Sequence, residues 1–172
     1  MNRIMMFVAA ATIASTSVFG QNDAFSSANK TFYGMIKGNL VKAAEKMPED
    51  NYSFQPTKEV RTFGQIVGHV ADANLMFCSA AKGEQKQPSA EKTKTSKADL
   101  VAALKESIAY CDGVYGAMTD EAGAVKVKFF GNDLSKSALL EFNVAHNNEH
   151  YGNIVTYMRI KGLVPPSSES SR

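Results

Sequence analysis

Apolar residues recur at intervals of three and four through four long stretches of this chain, and that period predicts four helices. The first runs from about residue 22 to 47, with Phe25, Ala28, Phe32, Met35, Ile36, Leu40, Ala43 and Ala44 as its inward stripe and Pro48 as its stop. The second runs from Phe63 to Lys82. Thr62 is its N-cap, Gln65 completes a capping box, and Gly83 ends it. Its stripe holds Phe63, Ile66, Val67, Val70, Ala73, Met76, Phe77 and Ala80. The third is capped by Ser96 and runs from about Lys97 to Met118, carrying Leu100, Val101, Leu104, Ile108, Cys111, Val114, Tyr115 and Met118 inward. The fourth is capped by Asp133 or Ser135 and runs to about Lys161, before Gly162 and the Pro165-Pro166 pair. Its inner face reads Leu139, Leu140, Phe142, Asn143, His146, His150, Asn153, Ile154 and Tyr157.

The joining segments are polar. Residues 49–61 are turn-rich, with Tyr52 and Phe54 placed to cap the core. Residues 84–95 are dense in Lys, Glu, Gln and Ser and read as a solvated loop. Residues 119–132 are irregular, with a short extended piece around Val125–Phe130 and a turn at Gly131-Asn132. Four helices without a confident strand make an all-α four-helix bundle, residues 21–166, followed by a disordered polar tail, 167–172.

The loop between the second and third helices is longer than the ~2–8 residues usual between antiparallel bundle neighbours. Such a loop can return along the bundle and leave those two helices parallel. Cys78 and Cys111 would then stand at nearly the same height, since each lies about fifteen or sixteen residues into its helix. This favours an up-down-down-up order with a Cys78–Cys111 disulfide. The alternative is two free cysteines packed as small hydrophobes.

Composition narrows the setting. A formal charge of +2, evenly scattered over 172 residues, gives no footprint for nucleic acid. Residues 1–20 read as an export signal: Arg3, an apolar run from Ile4 to Ala14, then small residues ending at Gly20, with no cysteine for lipid attachment. The alternative, a membrane anchor, would need a longer apolar run. Export places the protein in the periplasm or outside the cell, off the membrane after cleavage, where paired cysteines are oxidised.

The candidate chemistry sits in the fourth helix. His146 and His150 are four apart, so both rings lie on one helical face. The third and last histidine, His69, lies in the apolar stripe of the second helix. Three imidazoles without a carboxylate or thiolate suit a divalent transition metal, zinc first and nickel next. Three protein ligands leave a position open, which is the catalytic arrangement. The alternative is a hydrogen-bonded polar cluster in the core. Glu149 is a candidate general base, because His-x-x-Glu-His also occurs in a class of metallopeptidases; there the third ligand is acidic and downstream, unlike here. Asn143, Asn153, Tyr151 and Tyr157 lie within reach of the pair along the same helix.

Two motifs carry a resemblance. Phe63-Gly64-Gln65-Ile66-Val67-Gly68-His69-Val70-Ala71-Asp72 and His146-x3-His150-x-Gly152-Asn153-Ile154 resemble the DinB/YfiT-like superfamily over about Phe25 to Pro166. Asn153 stands where the family's motif usually has Gln. The resemblance implies an up-down-down-up four-helix bundle, a divalent metal on His69, His146 and His150, and in many members a homodimer. It also implies thiol chemistry: transfer of bacillithiol, mycothiol or glutathione to an electrophile, or thiol-dependent isomerisation. Those thiols are cytosolic, so an exported member departs from the usual cosubstrate. The expectation is a metal-dependent transferase or hydrolase acting on a small molecule. The alternative is a metal-binding or oligomerising bundle without turnover.

Overall fold

A computed structural model describes residues 23–169; the expected export signal at 1–20 and the last three residues lie outside them. Six helices and one hairpin follow in order: α1 (Ala24–Lys46), α2 (Phe63–Lys82), α3 (Ala90–Thr93), α4 (Lys97–Ala117), α5 (Asp120–Ala124), β1 (Lys126–Phe129), β2 (Asn132–Ser135) and α6 (Lys136–Ile160). The four long helices make the bundle.

The ends of these helices are chemically defined. Thr62 accepts from the Gln65 N–H, and Gln65 answers at the Thr62 N–H, the full capping box. Gly83 takes a left-handed φ of 86° to close α2, a conformation that costs a residue without Cβ least. Ser96 and Ser135 accept from the Asp99 and Ala138 N–H groups to start α4 and α6.

The direction of each helix follows from which ends meet. Near their starts, Asn29 of α1 donates to the Ser137 carbonyl of α6 at 3.4 Å. Beyond their ends, Lys46 donates to the Val164 carbonyl at 2.8 Å. These two helices are therefore parallel. α2 and α4 are parallel as well, joined near their C-termini by a Cys78–Cys111 disulfide with a Cα–Cα distance of 5.4 Å. The two pairs oppose each other: Lys97 at the start of α4 donates to the Glu45 carbonyl at the end of α1, at 2.8 Å. Tyr157, late in α6, donates to the Arg61 carbonyl just before α2, also at 2.8 Å. The order is up-down-down-up, and the parallel pairing expected from the long crossover holds.

Two apolar clusters fill the bundle. One holds Leu40, Met47, Phe63, Val70, Leu104 and Ile154; the other holds Tyr33, Phe77, the disulfide, Leu139 and Leu140. On α6 they are separated by a polar stretch in which Asn143, Asn147 and His150 are buried.

Five expectations are corrected. The inward stripe of α1 is Ser26, Asn29, Tyr33, Ile36, Leu40, Ala43 and Ala44, while Phe25, Phe32 and Met35 are exposed. The polar start of α1 sets this rotation. The Ser26 N–H donates to Asp120 at 2.7 Å, and Tyr33 stacks on Tyr115 with ring centroids 4.0 Å apart. On α6, Phe142 is exposed rather than inward. Residues 84–95 are not wholly solvated loop, because they contain α3 with Ala90 buried. Residues 126–135 form an antiparallel hairpin whose turn is Phe130-Gly131, both at positive φ, one residue before the expected turn. The polar tail is held through Glu169: the Ser167 N–H donates to the Tyr151 hydroxyl at 2.9 Å, and Lys46 contacts Glu169.

The disulfide closes a loop with a sequence separation of 33. Substituting both cysteines with alanine should cost about 3–4 kcal/mol by the chain-entropy argument. Urea melts of the variant and of the oxidised wild type check this. Equal midpoints would show that the bundle gains nothing from the link.

Candidate metal centre

α2 and α6 run antiparallel, so the middle of one faces the middle of the other. His69 projects from α2 and His146 and His150 from successive turns of α6, and all three meet. The Nε2 atoms of His69 and His146 are 3.1 Å apart, as are those of His146 and His150. Across the three rings, the ligand atoms lie within 4.8 Å of one another. His150 is buried and the other two are half-buried.

The state of these rings follows from where they sit. Burial, then the neighbouring His150, His69 and Arg61, push the His146 imidazolium down to about 4. Burial, then His69, lowers His150 in the same way. Near neutral pH both rings are therefore uncharged. His69 Nδ1 lies 3.0 Å from Glu91 Oε2, an acceptor that favours a proton on Nδ1. His146 Nδ1 and His150 Nδ1 are buried without a hydrogen-bond partner.

Imidazole nitrogens converging at 3.1 Å fit a shared cation. Two nitrogens on one tetrahedral ion at ~2.0–2.1 Å stand about 3.3 Å apart. Among the described residues the cluster contains three histidines and no fourth His, Cys, Asp or Glu. That composition leaves a coordination position for water or substrate.

A cleft of about 620 Å³ opens beside the cluster, lined by Arg61, Gln65, Glu149, His150, Asn153 and Tyr157 among others. His150 is the histidine that lines it. Glu149 and Asn153, both singled out in the sequence, are exposed on the cleft wall. Tyr157 also lines it and is anchored through Arg61. Asn143 is turned elsewhere: it is buried and donates to the Tyr115 hydroxyl at 3.3 Å. Tyr151 is occupied by the tail.

Sequence reasoning missed Glu91 and Arg61. Glu91 Oε1 accepts from Arg61 Nε at 2.8 Å while Oε2 faces His69. Burial alone would raise the Glu91 carboxyl, but the hydrogen bond and charge of Arg61, together with His69, outweigh it and hold the group below its usual range. No periodicity marks Glu91, because only tertiary packing brings α3 against α2.

A sequence model described as the DinB superfamily matches residues 36–154. The chain is 25% identical over 122 residues to a protein of Bacillus subtilis named as uncharacterized protein YjoA, covering 69% of this chain and 79% of that one. Its fold is similar to a crystal structure of a DinB-like protein from Bacillus cereus, with a TM-score of 0.71 at 18% identity over 81% of this chain and 95% of that one. The YjoA crystal structure gives 0.68 at 21% identity over 84% and 99%. The mycothiol-dependent maleylpyruvate isomerase gives 0.57 at 14% identity over 75% and 60%.

The depressed His146 has a consequence for metal-free protein. Its folded value of about 4 lies below the ordinary 6.5. The neutral ring therefore contributes its full stability above about 6.5, and that contribution is lost as pH falls towards 4. In chelator, the stability of His146→Leu relative to wild type should improve steadily from pH 7 to pH 4.5, as read by urea melts. Parallel pH profiles would mean that His146 is not held neutral.

Proposed function

The chain belongs to the DinB superfamily, and on that premise we propose that it is an exported, metal-dependent enzyme acting on a small molecule by thiol-type transfer or by hydrolysis. The observation that carries this reading is the meeting of three imidazole Nε2 atoms beside an open cleft. His69, His146 and His150 would hold the ion, zinc first and nickel next. When bound, such an ion supplies Lewis-acid activation of a water or a thiol sulfur at neutral pH.

The chain's own residues would do the rest. The cleft would admit substrate along the His150 side, so the reacting group would approach the histidine that lines it. Glu149 stands next to His150 on the cleft wall, placed to take up a proton from the reacting group. Arg61, Asn153 and Gln65 offer polar contacts for orienting a small polar molecule.

Two observations support the wider setting. The N-terminal pattern of residues 1–20 reads as an export signal, and the Cys78–Cys111 link suits an oxidising compartment. The thiol-type reaction is supported by likeness of fold to an enzyme whose name states mycothiol dependence. The compartment argues for a different thiol, or for water, as the second reactant. An accessible cleft at the histidines favours turnover over a bundle that only stores a metal or pairs with itself.

Metal content decides the reading. Untagged protein should carry a stoichiometric divalent ion, and zinc at a hundred times its dissociation constant should stabilise stripped protein by about 2.7 kcal/mol. His150→Ala should abolish that stabilisation and leave the helical circular dichroism unchanged. Wild-type protein that neither holds nor responds to zinc or nickel would overturn the assignment. A screen of thiols with electrophiles, and of hydrolysable esters and amides, then separates transfer from hydrolysis.

A further inference from the structure

We propose that Glu91 is a positioning residue of the metal centre: by accepting the Nδ1 proton of His69, it fixes that ring's tautomer and aims the Nε2 lone pair at the point shared with His146 and His150. The proposal rests on the metal reading of the three histidines.

A neutral imidazole can carry its proton on either nitrogen, and only the Nδ1–H form leaves Nε2 free to bind an ion. Glu91 Oε2 stands 3.0 Å from His69 Nδ1, which selects that form. The carboxylate is held from its other side by Arg61, at 2.8 Å. His146 and His150 have no such partner at Nδ1. Within the cluster, His69 is thus the ring whose orientation is set by a side chain from outside it.

The segment carrying Glu91 is built onto α2. Both carboxylate oxygens of Asp72 accept backbone N–H groups there, from Ala90 at 2.7 Å and from Glu91 at 3.0 Å. One turn earlier on α2, Gly68 lets the backbone come closer than any side chain would allow. A Cβ on Gly68 would lie 2.7 Å from Glu91 Cα and 2.9 Å from Glu91 N. Gly68, His69 and Asp72 thus form one surface: a gap that admits the segment, a carboxylate that pins it, and the ring that receives its side chain. A carboxylate behind a ligating histidine raises the basicity of the ligand nitrogen and fixes the ring, and losing one weakens metal binding by about 10–100-fold.

The test uses full-length protein and three variants, Glu91→Ala, Glu91→Gln and Gly68→Ala. Zinc affinity is measured by competition with a chromophoric chelator. Glu91→Ala should bind zinc about 10–100-fold more weakly than wild type. Glu91→Gln should fall between the two, because its amide oxygen still accepts but carries no charge. Gly68→Ala should weaken binding by displacing the segment, and it should add little to Glu91→Ala in the double variant. A second readout needs no metal: long-range proton–nitrogen NMR of the His69 ring. It should show the Nδ1–H form in wild type and a mixture including Nε2–H in Glu91→Ala. Should Glu91→Ala fail to fold, Glu91→Gln and Gly68→Ala decide the matter. Wild-type affinity in the folded variants, or an unchanged His69 tautomer, would overturn the proposal. Wild-type protein that binds no zinc at all would instead remove the metal reading itself, and this proposal with it.

Discussion

Three imidazole nitrogens brought together from two helices, neighbours 3.1 Å apart, are the arrangement on which the middle of the bundle turns. Desolvation is what keeps protons out. The largest influence on His146 and His150 is burial, which disfavours the imidazolium; His69 and Arg61 add to it at both rings, while Glu149 and Glu91 oppose it at His150. Two rings disfavoured as imidazolium beside a third offer convergent nitrogens that could hold a metal cation. Much of the middle of the bundle is arranged around this. The polar stretch of α6 from Asn143 to His150 interrupts the two apolar clusters, and Asn74 of α2 meets Asn147 across it at 2.9 Å.

The crossover between α2 and α4 does two jobs that belong together. It must be long because its helices are parallel, and a long connection has room for a structured piece. Here that piece is α3, which carries Glu91 to His69. The Cys78–Cys111 link closes the same loop that contains α3, so it limits how far that segment can stray in the unfolded chain. One covalent bond therefore serves both the bundle's topology and the return of Glu91 to its partner.

Much of this was legible in the sequence. Capping residues located the starts of α2 and α4, and narrowed that of α6 to two candidates of which Ser135 is the cap, because Thr62, Ser96 and Ser135 act through neighbours three positions away. The three histidines could be grouped because the period that places a helix face also places its ligands. The rotation of α1 could not be read the same way. Counting apolar residues chose Phe25, Phe32 and Met35, whereas the structure turns Asn29 and Tyr33 inward through contacts with Ser137, Ile108 and Tyr115. Polar anchoring from distant parts of the chain outweighed the local pattern. Glu91 failed for the same reason: a glutamate in a lysine-rich stretch looks solvated until Asp72 and Gly68 are known to hold its backbone.

Placement of the site against the two cores governs what a substitution there can mean. The large, fully buried side chains (Tyr33, Leu40, Phe63, Leu104, Leu139 and Met158 among them) lie in the apolar clusters on either side of the histidines. Burial of that surface, at roughly 25 cal/mol per Å², supplies most of the driving force for folding. His69 and His146 are half-buried and contribute little to it. Glu91 is half-buried to the same degree as His69 and Arg61 is exposed, and an ion pair in such a position contributes at most about 1 kcal/mol. The fold therefore rests on residues outside the histidine cluster. A ligand or its supporting carboxylate can be removed while the bundle stays intact, so a lost metal would report on the site itself and not on collapse of the protein around it.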